Sequence, residues 1–185
     1  MAEPKAKKAR MDLGELTPHN VKQFKLINKI IFPVSYSDKF YKDAVAAGEY
    51  ARLAYLDDLV VGAVCCRVDG TKIYIMTLGC LAPYRRLGLG RMMVEHVMNL
   101  ARKDKKVTAV FLHVDVNNED AVEFYKTFGF EVTETVKGYY KKLSPGDAHV
   151  LEKKVTHESE GDSSSNGDDD ETKAAAKADK DKDAK

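Results

Sequence analysis

A chain of 185 residues suits one domain with appendages, and 30 lysines and arginines against 29 acids leave a net charge of +1. That balance gives no electrostatic ground for direct nucleic-acid binding, and no apolar run reaches the ~20 residues of a bilayer-spanning helix. With no signal-peptide core either, the expectation is a soluble intracellular protein that binds no membrane.

The charge is unevenly spread. Residues 1–10 hold four bases and one acid, while residues 156–185 hold ten acids and five lysines. Pro4-Lys-Ala-Lys-Lys-Ala-Arg10 serves either as a nuclear-import signal or as a solvated arm. The tail has no aromatic residue and, past Val155, no Leu, Ile or Val. It cannot bury enough surface to offset the entropy of ordering. The expected organisation is therefore a disordered basic leader at 1–10, a folded domain at 11–155 and a disordered acidic tail at 156–185. Cys65, Cys66 and Cys80 form no CxxC pair and read as reduced, buried small hydrophobes.

In chain order, Met11–Leu16 is a short strand candidate. Thr17 followed by Pro18 predicts a capped helix to about Ile31, with Val21, Phe24, Leu26, Ile27, Ile30 and Ile31 as its apolar face, and Pro33 stops it. Ser37 caps a second helix, Asp38–Ala47, which Gly48 ends. Three strands follow, Tyr50–Asp57, Leu59–Val68 and Lys72–Leu81, turned by Asp57-Asp58 and Asp69-Gly70. A helix at Leu89–Lys103, a strand at Val107–Val116 and a helix at Glu119–Phe128 come next. Strands are expected at Phe130–Val136, Tyr139–Leu143 and Val150–Val155. This order predicts an α+β layered domain with a mixed sheet, its 72–116 crossover parallel and right-handed.

Arg85-Arg86-Leu87-Gly88-Leu89-Gly90 joins a strand to a helix. Helix N-termini carry unpaired N–H groups and partial positive charge, so the segment suits a phosphate. It is not a Walker A loop, and Met93 stands where a dinucleotide fingerprint needs its third glycine. Alone it reads as a phosphate cradle or as an ordinary connection with solvated arginines. Beyond the next strand lies Asn118-Glu-Asp-Ala-Val-Glu-Phe-Tyr-Lys-Thr-Phe-Gly-Phe130. Together, the R-R-x-G-x-G loop and this N-x-x-A-x-x-F-Y-x-x-x-G-F helix resemble the GNAT acetyltransferase superfamily. Phe32-Pro-Val-Ser-Tyr36, Tyr74-Ile-Met-Thr-Leu-Gly-Cys80, Leu112-His-Val114 and Gly138-Tyr-Tyr140 are similar to the NatE family of amino-terminal acetyltransferases, over about residues 11–152. The leader and tail are additions to that family's compact form.

The resemblance implies the GNAT acyl-CoA N-acyltransferase fold and acetyl-CoA as co-substrate, without a metal. It places acetyl-CoA against Leu78, Gly79, Cys80 and Leu81, against Arg85, Arg86, Leu87, Gly88, Leu89, Gly90 and Arg91, and against Asn118, Ala121 and Tyr125. A backbone N–H between Gly79 and Leu81 would meet the thioester carbonyl. On residues alone, His113 is a hydrogen-bonded core histidine and Tyr74 a packing residue. The resemblance instead makes Tyr74 and His113 a base acting through water, with Tyr125 donating a proton to the leaving thiolate. It assigns the acceptor peptide to Phe32, Pro33, Val34, Tyr36, Met76, Tyr139, Tyr140, Lys141 and Lys142. An apolar wall of this kind suits a Met-starting peptide with an apolar second residue, and some lysine acetylation beside it.

The implied partners are nascent or mature protein N-termini, the auxiliary and catalytic subunits of NatA, and the ribosome. The implied setting is cytoplasmic with a nuclear fraction, supporting sister-chromatid cohesion. Two other readings stay open: a protein lysine acetyltransferase, and a non-catalytic GNAT subunit of a ribosome-associated complex.

Overall fold

The computed structural model describes residues 9–157 except Lys142 and Pro145. The expected disorder of residues 1–8 and 158–185, and the acceptor role of Lys142, lie outside the described residues. The chain runs β1 (Met11–Glu15), α1 (Val21–Ile31), α2 (Asp38–Ala46), β2 (Ala51–Leu56), β3 (Leu59–Asp69), β4 (Lys72–Cys80), α3 (Leu89–Lys103), β5 (Ala109–Asp115), α4 (Glu119–Lys126), β6 (Glu131–Val136) and β7 (Ala148–Lys154). One seven-stranded sheet orders them β1-β2-β3-β4-β5-β7-β6. All neighbours are antiparallel except β4 and β5, the parallel pair that the α3 crossover requires.

Two expectations need correction. The first helix starts at Val21, because Asn20 occupies the end of a turn: its side chain accepts the Thr17 N–H at 2.8 Å and donates to the Glu15 carbonyl at 2.9 Å. Thr17 precedes a proline, which disfavours helical backbone there. The second correction is that Tyr139–Leu143 is irregular, not a strand. Gly138 turns with φ 63°, and the Tyr140 N–H donates to the Gly146 carbonyl at 2.7 Å, closing a loop instead of a ladder. The last strand inserts between β5 and β6.

The sheet separates two apolar layers. Ile73 and Ile75 of β4 join Met93, Val94 and Val97 of α3, with Val110, Leu112, Val122 and Tyr125 on the same side. Phe24 and Ile27 of α1 join Phe40, Tyr41 and Ala44 of α2 over Leu53, Ala63 and Cys65 on the other. Fully burying such side chains contributes ~1.5–3 kcal/mol each, so both helix pairs are held by their apolar faces.

One irregularity positions everything that follows. Cys65 faces Thr77 and Cys66 faces Ile75, which leaves Met76 as an extra residue in β4. The phase of the strand flips there. Ile73 and Ile75 face the α3 layer before the bulge, and Leu78 and Cys80 face it after. A bulge bends and over-twists its strand. The parallel pairing of β4 with β5 covers only Lys72–Tyr74 against Ala109–Phe111 and stops just before the bulge. Beyond that point the two strands part, β4 running on to Cys80 and β5 to Asp115. The result is a fork in the middle of the sheet.

Candidate active site

At the root of the fork, β4 supplies Tyr74 and β5 supplies His113. The Tyr74 hydroxyl lies 3.1 Å from His113 Nδ1 and 3.0 Å from the Tyr139 hydroxyl. The Tyr139 ring lies flat on the His113 imidazole, 4.1 Å between centres and 8° from parallel. Phe111 stacks on Tyr74 at 4.9 Å, and the Arg67 guanidinium sits 5.1 Å from the Tyr74 ring centre. Tyr74 is thus packed on its face and hydrogen-bonded at its tip, which fixes where the hydroxyl points. The expected tyrosine–histidine pair is brought into direct contact, closer than a water-bridged pair. Phe111 and Arg67 were missed by sequence reasoning. Phe111 carried a signal, since it lies two residues before His113 and so shares its face of β5.

Tyr139 and Tyr140 come from the loop after β6. The Gly138 N–H donates to Asp147 Oδ1 at 2.8 Å, anchoring the turn, and a side chain on Gly146 would collide with the Tyr140 carbonyl oxygen. The half-buried Tyr140 hydroxyl donates weakly to the His113 carbonyl at 3.5 Å. Burial raises its phenol above the usual tyrosine range, with Tyr139 and Asp115 adding to the effect. Tyr125 on α4 is buried between Phe124 and Phe130, and burial likewise raises its phenol above the usual tyrosine range, with Cys66 and Tyr140 contributing. Lys141 is exposed.

The acceptor wall comes from the loop between α1 and α2. Phe32 meets Tyr36 edge-on at 6.4 Å, and Tyr36 stacks on Phe40 at 4.4 Å. The Ser37 hydroxyl accepts the Phe40 N–H at 3.2 Å, so the cap of α2 also orients this aromatic stack. Ile31 and Phe32 press on β4 at Gly79, where any β-carbon would come within 2.9 Å and 3.4 Å of them. Val34 is half-buried and Pro33 exposed, while Met76, the bulged residue, packs against the α1–α2 layer. Phe32, Tyr36 and Met76 therefore meet β4 on one side of the sheet.

On the other arm, the Leu81 N–H donates to the Val61 carbonyl at 2.8 Å, so it is not the group that faces the fork. Alternation along an antiparallel edge turns the N–H groups of Leu78 and Cys80 away from β3 instead, and Gly79 toward it. Arg85 Nε lies 3.5 Å from the Cys80 carbonyl. Gly88, at φ 103°, opens α3 without a capping side chain, leaving its first N–H groups to other partners. Arg86 adopts φ 66° and is exposed, as are Arg85 and Leu87. The glycines have structural reasons as well: a β-carbon on Gly90 would come within 3.0 Å of the Phe124 ring. Arg91 pairs with Glu95 at 3.6 Å and covers Phe128 at 5.1 Å, and Leu89 is buried in the core, so these two serve the helix. Asn118 caps α4 by accepting the Ala121 N–H at 3.2 Å, which commits its carbonyl oxygen.

The arrangement can hold a phosphate-bearing thioester along the open arm and an amine at the aromatic root. No described group of three or more His, Cys, Asp or Glu residues could hold a metal ion, and no described helix is long and apolar enough to cross a membrane. Burial pushes Cys65 up to about 12 and Cys66 well above the usual thiol range, so neither is a ready nucleophile.

Sequence comparison matches residues 21–130 to the Acetyltransferase (GNAT) family. Over 150 residues the chain is 58% identical to the probable N-acetyltransferase san of Drosophila melanogaster, covering 79% of this chain and 82% of that one. It is 57% identical over 152 residues to N-alpha-acetyltransferase 50 of Danio rerio, covering 80% and 90%. Its fold matches that of Arabidopsis thaliana Naa50 in complex with the bisubstrate analogue CoA-Ac-MVNAL, with a TM-score of 0.74 and 44% identity over 77% of this chain and 97% of that one. The forked mixed sheet, the uncapped α3 entrance and these similarities lead to one conclusion: the chain belongs to the GNAT acetyltransferase family, in the group of the san and N-alpha-acetyltransferase 50 proteins.

Proposed function

We propose that this enzyme moves the acetyl group of acetyl-CoA to the α-amine of peptides that begin with Met and carry an apolar second residue. The observation that carries this reading is the Tyr74–His113–Tyr139 cluster at the root of the fork. A peptide α-amine, with a pKa of ~8, presents a usable neutral fraction at physiological pH, whereas a lysine amine near ~10.4 presents far less. The neutral amine attacks the thioester carbonyl directly. The nitrogen then sheds a proton, relayed by water to the Tyr74 hydroxyl, whose own proton passes to His113 Nδ1. Tyr125, held protonated by burial, returns a proton to the departing thiolate.

Donor binding needs no side-chain nucleophile. The Cys80 N–H turned into the fork polarises the carbonyl, and the free N–H groups of α3 with Arg85 and Arg86 take the phosphates. Acetyl-CoA supplies the activated acyl group. Phe32, Val34, Tyr36 and Met76 receive the methionine and its neighbour, an apolar wall without a carboxylate that would favour a lysine's surroundings. Association with NatA subunits at the ribosome, a cytoplasmic setting with a nuclear fraction, and a part in sister-chromatid cohesion belong to the same reading. So does a folded domain at 11–155.

The test is a library of Met-Xaa peptides assayed with both substrates varied. Intersecting initial-rate lines and a preference for apolar Xaa are expected. Parallel lines, the signature of a covalent acetyl-enzyme, or indifference to Xaa would contradict the proposal.

A further inference from the structure

The first strand begins against the donor loop. A β-carbon placed on Gly88 would lie 3.5 Å from Met11 Cε and 3.9 Å from Met11 Sδ, so β1 starts within contact of the turn that opens α3. The backbone just before it is fastened. The Arg10 N–H donates to Asp57 Oδ1 at 2.9 Å, and the Asp57 N–H donates to the Arg10 carbonyl at 2.7 Å. Arg10 pairs with Asp12 at 2.5 Å, which commits its guanidinium. The sheet register agrees: Met11 pairs with Leu56 beside the β2–β3 turn, and the Leu81 N–H donates to Val61 near that same turn. The last described residues lie at the opposite end of the sheet, where the Val155 N–H donates to the Thr108 carbonyl at 2.9 Å, just before β5.

Ahead of Arg10 stand Lys5, Lys7 and Lys8, outside the described residues. Lys8 is three residues from Met11, ~10 Å of fully extended chain before its side chain is counted. The leader's lysines are thus tethered within reach of whatever the donor loop holds.

We infer that Lys5, Lys7 and Lys8 form a second phosphate-binding element for acetyl-CoA, added to Arg85 and Arg86. The inference rests on the donor-loop reading above. The pyrophosphate and ribose phosphate of the donor carry several negative charges at neutral pH, more than two arginines neutralise. A lysine ammonium suits this role, because it is a point charge on a long stem and needs no fixed fork geometry. Asp58, exposed in the β2–β3 turn, is the competing anion.

The dissociation constant of acetyl-CoA is measured on the full chain by titration calorimetry at ~50 mM and ~500 mM salt, where exposed charges are weakly and strongly screened. Combining Lys5→Gln, Lys7→Gln and Lys8→Gln should weaken binding roughly fivefold at the lower salt, as expected of a few exposed charge contacts, and hardly at all at the higher. Glutamate at the same three positions should weaken it further, and arginine should preserve it. The loop pair Arg85→Ala with Arg86→Ala is measured beside them. If the loop pair weakens binding and the leader variants do not, the inference falls and the donor-loop reading stands. A lower melting temperature with an unchanged dissociation constant has the same consequence, since it assigns the lysines to Asp58. If neither the loop pair nor the leader variants change binding, the donor-loop reading itself falls, and the leader's role with it.

Discussion

The two arms of the fork are built from different materials. The proposed donor arm is one nearly continuous stretch, β4 from Leu78 through the loop to the start of α3, and what it offers is backbone N–H groups, those of α3 without a capping side chain. The acceptor side is an aromatic cluster drawn from four separate segments: Phe32 and Tyr36, Tyr74, His113, and Tyr139 with Tyr140. The difference predicts that single substitutions disturb the acceptor side more than the donor side. Backbone donors are indifferent to most substitutions, whereas stacked rings depend on every member.

The comparison breaks most visibly at its root. His113→Ala should lower kcat by roughly 100-fold, the low end for general-base catalysis, with little change in the KM for acetyl-CoA. Tyr74→Phe should cost a similar factor, and the double variant little more than the worse single one, because the pair acts as a unit. Steady-state kinetics of the four proteins checks both statements.

Gly146→Ala reaches the cluster from a distance. Its β-carbon would strike the Tyr140 carbonyl, so the loop must move and carry Tyr139 off His113. Activity should fall by about tenfold or more with a stability loss of about 1–3 kcal/mol, the usual cost of overpacking. Paired urea melts and rates separate the two effects. On the donor arm, Arg85→Ala together with Arg86→Ala should raise the KM for acetyl-CoA by roughly tenfold and weaken its dependence on salt, leaving peptide KM unchanged.

Smaller effects concern the scaffold. Ser37→Ala removes the cap on α2 and should cost about 1 kcal/mol, a Tm shift of about 3 °C read by thermal melting. Cys65 binds its proton more tightly when folded, at about 12, than the usual 9 of an exposed thiol. The unfolded chain therefore loses that proton first, and stability should fall as pH rises from 9 through about 12. Cys65→Ala should flatten the decline in denaturant melts across that window.

How much of this was legible in the sequence follows the same division. The donor loop announces itself through local spacing, and Tyr74 and His113 sit on strands whose apolar periodicity is plain. The role of Tyr139 as the ring stacked on His113 was not legible, because it depends on a loop that Gly138 and Gly146 fold back and not on any element's period. The motif also suggested glycines placed for a phosphate, whereas Gly90 answers to Phe124 across α3 and α4. The bulge at Met76, which opens the fork, has no sequence mark at all. It arises from how β3 and β4 register, a tertiary fact.

The most direct test of the central claim places a peptide with a free amino-terminal Met-Leu-Pro beside a peptide whose amino terminus is blocked and whose only amine is a lysine. Turnover with acetyl-CoA should be dominated by the first and should collapse in Tyr74→Phe and His113→Ala. Dominant turnover of the lysine peptide, or rates unmoved by those two substitutions, would contradict the account.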